Sequence, residues 1–84
     1  MDNTATSFTD DAKRVFWVIA TTSDGSVGYL MGRLAWGERR VRAALRELGT
    51  AGAIERWYDP AISARAIYYR PVYAVPVPRP DPAR

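Results

Sequence analysis

Among the side chains able to do chemistry, the arginines stand out by type and by spacing. Twelve residues are basic and Lys13 is the only lysine among them. A guanidinium is a planar fork of donors that matches two phosphate oxygens or the edge of a guanine, which an ammonium does not. GC-rich codon usage also favours arginine over lysine, so abundance says less than placement. Between Arg33 and Arg46 lie Arg33, Arg39, Arg40, Arg42 and Arg46 against a single Glu38, a local charge of +4 that exceeds the +3 of the whole chain. Little other chemistry is available. There is no cysteine and no histidine, which removes thiol chemistry, imidazole acid–base chemistry and nearly every zinc site. Asp10, Asp11 and Asp24 have no spacing that sets two carboxylates across a cleft with a third group, and read as cap and turn residues. No glycine-rich phosphate loop occurs. The expectation is a binding protein, not an enzyme, with no metal or cofactor.

Two apolar series must position these arginines. Tyr29, Leu30 and Leu34 sit at helical spacing before Gly37, and Val41, Ala44, Leu45 and Leu48 repeat at i, i+3, i+4 and i+7 after it. Advancing roughly 100° per residue from Val41, the buried stripe centres on Val41, Leu45 and Leu48. Arg39, Arg42, Ala43, Arg46 and Thr50 fall on the opposite side, with Arg40 on the flank. Ala35, Trp36 and Gly37 leave room for a tight turn only, with Gly37 at the N-cap and Glu38 favourable to the helix dipole. A sharp helix pair of this kind fits its second helix into a DNA major groove. Ala43 suits that role, because a small residue in the outward face admits the groove floor or a thymine methyl.

The order L-x3-L-x2-G-x3-V-x3-L-x2-L-x3-G-x-I, here Leu30, Leu34, Gly37, Val41, Leu45, Leu48, Gly52 and Ile54, resembles the winged helix-turn-helix regulators of bacteria. Within that group, VRAALRELGTAGAIER resembles the recognition helix and following strand of GntR-type domains. Arg42 matches the arginine that follows the helix valine there, and Gly37-Glu38 stands where those domains carry Ser-Arg. YDPAISARAIYY replaces their glycine-rich wing tip and looks more like the longer wings of MarR-type and PadR-type proteins. The resemblance implies an α+β winged helix-turn-helix fold, three helices followed by a two-stranded β-hairpin wing, with the third helix (about 38–49) in the major groove.

Along the chain, residues 1–8 read as a flexible N-terminus, 9–73 as the domain and 74–84 as a proline-rich extended tail with no core of its own. Ser7 with Asp10 matches a capping box and Thr9 is a competing N-cap, so a first helix starts between them and runs to about Thr21, with Ala12, Val15, Phe16 and Ile19 buried. Thr22-Ser23-Asp24-Gly25 is turn chemistry, and Ser26 can cap a second helix, Val27 to Ala35. Gly28 and Gly32 weaken that helix by roughly 1 kcal/mol each relative to alanine, unless they allow close packing against a neighbour. Ala53 to Tyr58 and Arg65 to Tyr73 have strand composition around an Asp59-Pro60 turn. The longest apolar run, Val15 to Ala20, is far short of the ~20 residues that span a bilayer, and no charged leader with a cleavage site precedes it; a cytoplasmic address and no membrane contact are expected.

Arg39, Arg42 and Arg46 are the candidates for base edges or groove phosphates, and Arg40 and Arg33 for the DNA backbone. Taken alone, such a face is as well explained by a solvated helix with Glu38 and Glu47 as ion-pair partners. Arg56 and Arg65 flank the wing turn and can reach an adjacent minor groove, or pair with Glu55 or Asp59. Trp57, Tyr58, Tyr68 and Tyr69 read as cross-strand packing before base-stacking platforms. Trp17 lies off the first helix's stripe beside Val18, so either the tail or a second subunit covers it. The self-association reading places Trp17, Val18 and Tyr73 in a homodimer interface. The leading expectation is a sequence-specific double-stranded DNA-binding regulator. The alternatives are a winged-helix module that docks a protein partner, in part through the proline-rich tail, and the DNA-recognition component of a replication, partition or transfer assembly.

Overall fold

The computed structural model describes residues 7–22, 25–57 and 67–80. Three helices precede one two-stranded antiparallel hairpin: α1 Asp10–Thr22, α2 Val27–Leu34, α3 Glu38–Thr50, β1 Ile54–Trp57 and β2 Tyr68–Pro71. This is the α+β layout that the apolar periodicity predicts, with β1 starting one residue later and β2 ending two residues earlier than their composition suggests.

Local chemistry fixes the helix ends. Of the two candidate caps for α1, Thr9 is used: its Oγ1 accepts the amide of Ala12 at 3.2 Å, satisfying one of the donors a helix start leaves open. The amide and hydroxyl of Thr9 donate in turn to the two carboxylate oxygens of Glu47, at 2.9 and 2.7 Å, tying the start of α1 to the end of α3. Ser26 caps α2 by accepting the amide of Tyr29. That helix stops one residue before the expected Ala35, because Ala35 turns left-handed at φ 59° and its amide closes back on the carbonyl of Met31. A Cβ is disfavoured there by about 1–2 kcal/mol, a cost borne by the turn that aims α3. Gly37 precedes α3 in extended conformation without a side-chain cap.

The core is the meeting of the predicted stripes. Ala12, Val15, Phe16 and Ile19 of α1 pack with Leu30 of α2, with Val41, Ala44, Leu45 and Leu48 of α3, and with Ala53 and Ile54. Two residues enter it from outside the expected domain limits. Phe8, at 8% exposure, and Val77, at 7%, belong to the same cluster. The packed unit therefore reaches one residue into the segment read as a flexible N-terminus and four into the tail read as having no core. Neither helix glycine serves close packing: a Cβ at Gly28 or Gly32 meets nothing within 4 Å. The glycine that does so is Gly25, read from sequence only as a turn residue. It is buried, its carbonyl accepts the amide of Tyr69 at 3.2 Å, and a Cβ there would lie 1.9 Å from the Tyr69 carbonyl oxygen. The connection from α1 to α2 thus bonds to β2 on the edge not occupied by β1.

Three substitutions test this packing by denaturant unfolding. Gly25→Ala is expected to destabilise the fold, since backbone must move to admit the methyl. Gly32→Ala should stabilise it by about 0.5–1 kcal/mol from helix propensity alone. Leu45→Ala should cost about 2–5 kcal/mol; a loss below half of about 1 kcal/mol would contradict its place in the core.

Candidate nucleic-acid interface

With its apolar stripe turned to the core, α3 leaves Arg39, Arg42, Ala43, Arg46 and Thr50 exposed, as the helical projection predicts. The structure then divides the arginines. Arg40, on the flank, is committed to the fold: its Nε and Nη2 donate to Oδ2 and Oδ1 of Asp11 at 2.9 and 3.0 Å, and its guanidinium carbon lies 3.9 Å from the centroid of a Trp36 ring. A two-point bond of this kind fixes direction as well as distance. Arg40 is therefore a clasp between α3, α1 and the inter-helix turn. No local spacing rule pairs residues 29 positions apart, and sequence reading missed Asp11 as its partner.

Arg42 donates from Nε to Oε2 of Glu38 at 2.6 Å, the i, i+4 pair that the solvated-face reading anticipates. Both partners are more than half exposed, so water screens the pair and its bond can be exchanged for a phosphate at little cost. Arg39 and Arg46 make no ion pair among the described residues, and neither does Arg33, which projects from the last turn of α2.

The hairpin adds one cation to this face. Its register sets Ile54 against Pro71, Glu55 against Arg70, Arg56 against Tyr69 and Trp57 against Tyr68. Alternation puts Ile54, Arg56, Tyr69 and Pro71 on the side facing α3 and Glu55, Trp57, Tyr68 and Arg70 on the outer side. Glu55 is bonded by Arg70, at 2.9 Å, and not by Arg56. Trp57 packs on Tyr68 at 5.8 Å between ring centroids, the cross-strand packing expected of them. Arg56 is left with Arg42, Arg46, Gly49, Thr50, Leu45, Ile54 and Tyr69 around an open groove of about 540 Å³ between α3 and the hairpin. Arg65, Tyr58 and the turn between the strands lie outside the described residues.

Trp17 is covered from within the chain. Its Nε1–H donates to the carbonyls of Val77 and Pro78 at 3.1 and 3.0 Å, and the Arg79 guanidinium stands 4.0 Å from its ring centroid. Of the two covers considered, the tail is the one present, which removes the reason for placing Trp17 and the partly buried Val18 in a subunit interface. Tyr73 stays 66% exposed, edge-on to Phe16 at 6.2 Å. No helix among the described residues is long and apolar enough to cross a membrane.

Compared with family models, curated proteins and solved structures, the chain matches none.

The Arg40 clasp has a pH signature. Its hydrogen bonds hold the Asp11 carboxyl below the ordinary aspartate range, against a smaller opposing effect of burial. A carboxyl with a depressed folded-state pKa adds stability above its unfolded pKa, and that stability disappears as pH falls through the folded value. In Arg40→Gln, NMR titration should find Asp11 returned upward toward the ordinary range. The stability gap between wild type and variant should be present at neutral pH and close in acid; a gap constant across that range would mean that the clasp is not ionic.

Proposed function

We propose that this chain is a sequence-specific double-stranded DNA-binding protein of the winged helix-turn-helix type, a small cytoplasmic regulator of transcription without catalytic activity. The observation that carries the reading is the outward face of α3. Arg39 and Arg46 stand exposed and without ion pairs among the described residues, Ala43 leaves the face low, and Arg42 and Arg46 share one groove with Arg56 of the hairpin. A helix in the major groove presents forked donors to guanine edges, while a cation at the root of a hairpin reaches the neighbouring phosphates.

The order of elements supports the same reading. A tight turn joins α2 to α3, the hairpin follows α3 directly, and the Gly25 carbonyl bonds to β2 as a third strand would. Roles follow from what each arginine is free to do. Arg39 and Arg46 read base edges, and Arg42 leaves Glu38 to join them. Arg56 holds the phosphate backbone and Arg40 holds the angle of α3.

Selection of binding sites from random duplex DNA tests the proposal first, and a palindromic consensus would report two copies bound symmetrically. On the selected site, Arg39→Ala and Arg46→Ala should each weaken binding by about 1–3 kcal/mol and relax preference at one base position. Arg56→Ala should weaken binding to all sequences alike and lower the salt slope by about one. If none of the three alters binding while circular dichroism stays native, α3 is not the reading helix.

A further inference from the structure

A second basic hollow lies on the side of the domain turned away from the α3 face. The apolar stripes of α1 and α3 pack on each other, so the outward faces of these helices look in opposite directions. Advancing about 100° per residue from Ile19, Trp17 and Arg14 fall on the outward side of α1. There a concavity of about 490 Å³ is lined by Arg14, Trp17, Arg33 and Arg79 among others. An adjoining one of about 720 Å³ shares Arg14 and Arg33 and adds Lys13, Arg40 and the acid Asp10. Arg14 is bonded to Asp10 at 2.9 Å, but Lys13, Arg33 and Arg79 make no ion pair among the described residues.

Arg79 reaches this hollow by construction. The Trp17 indole N–H bonds the carbonyls of the two residues that precede it, and the guanidinium stacks on the indole at 4.0 Å. Stacking occupies the face of a guanidinium and leaves the donors of its edge available. Pro78 and Pro80 on either side restrict the backbone, so little conformational freedom remains to be lost when an anion binds. Arg14, Arg33 and Arg79 line one hollow beside an apolar wall, and the tail that completes it is held by the indole N–H of Trp17.

We propose that this hollow is a second phosphate-binding surface, taking the sugar-phosphate backbone of a further DNA segment, so that one copy of the chain holds two duplexes together. The inference rests on the reading of the chain as a duplex-binding protein. A single duplex cannot serve both faces: the domain measures 26 and 21 Å across its shorter axes, and DNA with a persistence length of about 50 nm does not fold back over that distance. The contact is with phosphate alone, because the tail lies over Trp17 on the outward face of α1 and keeps that face out of a groove, and it is therefore independent of sequence.

The test uses the full chain with two duplexes, one carrying the selected site and a donor dye, the other of unrelated sequence and an acceptor. Wild type should bring the dyes together at low salt, and Lys13→Ala combined with Arg79→Ala should abolish the transfer with little change in binding of the first duplex. The salt slope for capture of the second duplex should fall by about two in that variant. Trp17→Phe, which keeps a ring but removes the N–H, should lose part of the transfer by releasing Arg79. Three results would overturn the inference: no transfer with wild type that binds the first duplex, undiminished transfer in the double variant, or equal weakening of both duplexes, which would assign the hollow to the first one. A wild type that binds neither duplex instead overturns the proposed function, and with it the premise of a second segment.

Discussion

The apolar seam between α1 and α3 is the constraint on which the rest depends. Val15, Phe16 and Ile19 on one side and Val41, Leu45 and Leu48 on the other are buried together. Because side chains on a helix are locked in angle relative to one another, burying this stripe of α3 decides which arginines face water. Two polar clasps border the seam, Arg40 to Asp11 and Glu47 to Thr9. Neither adds much net free energy at the exposure its groups have. Their contribution is directional: apolar contact tolerates rotation and sliding, and a two-point bond at each end of α3 does not.

The same seam explains why the chain must close on itself at both ends. Three short helices and a hairpin of two four-residue strands leave the α1 side of the core incompletely covered, and small domains bury too little surface to leave such gaps. Phe8 enters from before α1 and Val77 from after β2. A proline-rich segment has no internal hydrogen bonds to lose and little backbone entropy to spend. It is therefore a low-cost cover, provided that something donates to its carbonyls, and the Trp17 indole N–H donates to two of them.

The periodic part of this fold was legible in the sequence, and the long-range part was not. Helix stripes, the Ser26 cap, the turn at Gly37 and the order of helices and hairpin follow from spacing and cap chemistry, which act over four residues or fewer. The exposure of Arg39, Arg42, Ala43 and Arg46 follows from the same periodicity. Three features do not. Gly25 reads as turn chemistry whether or not a strand passes beside it, and only its approach to Tyr69 shows why a side chain is excluded. The pairing of Glu55 with Arg70, and not with its neighbour Arg56, is a matter of hairpin register. Trp17 announced itself by lying off the stripe, which signals a cover without saying which segment supplies it.

What separates a recognition surface from a merely charged one is how many of its cations the fold itself consumes. Arg40 and Arg70 are taken up by carboxylates and aromatic rings, and each does work inside the domain that an exposed contact would forgo. Arg39 and Arg46 on α3 have no such use among the described residues, although Glu47, one residue from Arg46, was available as a partner by sequence proximity. Glu47 is withdrawn by Thr9 across the seam. The clasp that ties α3 to α1 therefore also fixes where the Glu47 carboxylate stands, at the start of α1 and off the outward face that carries Arg39, Arg42 and Arg46.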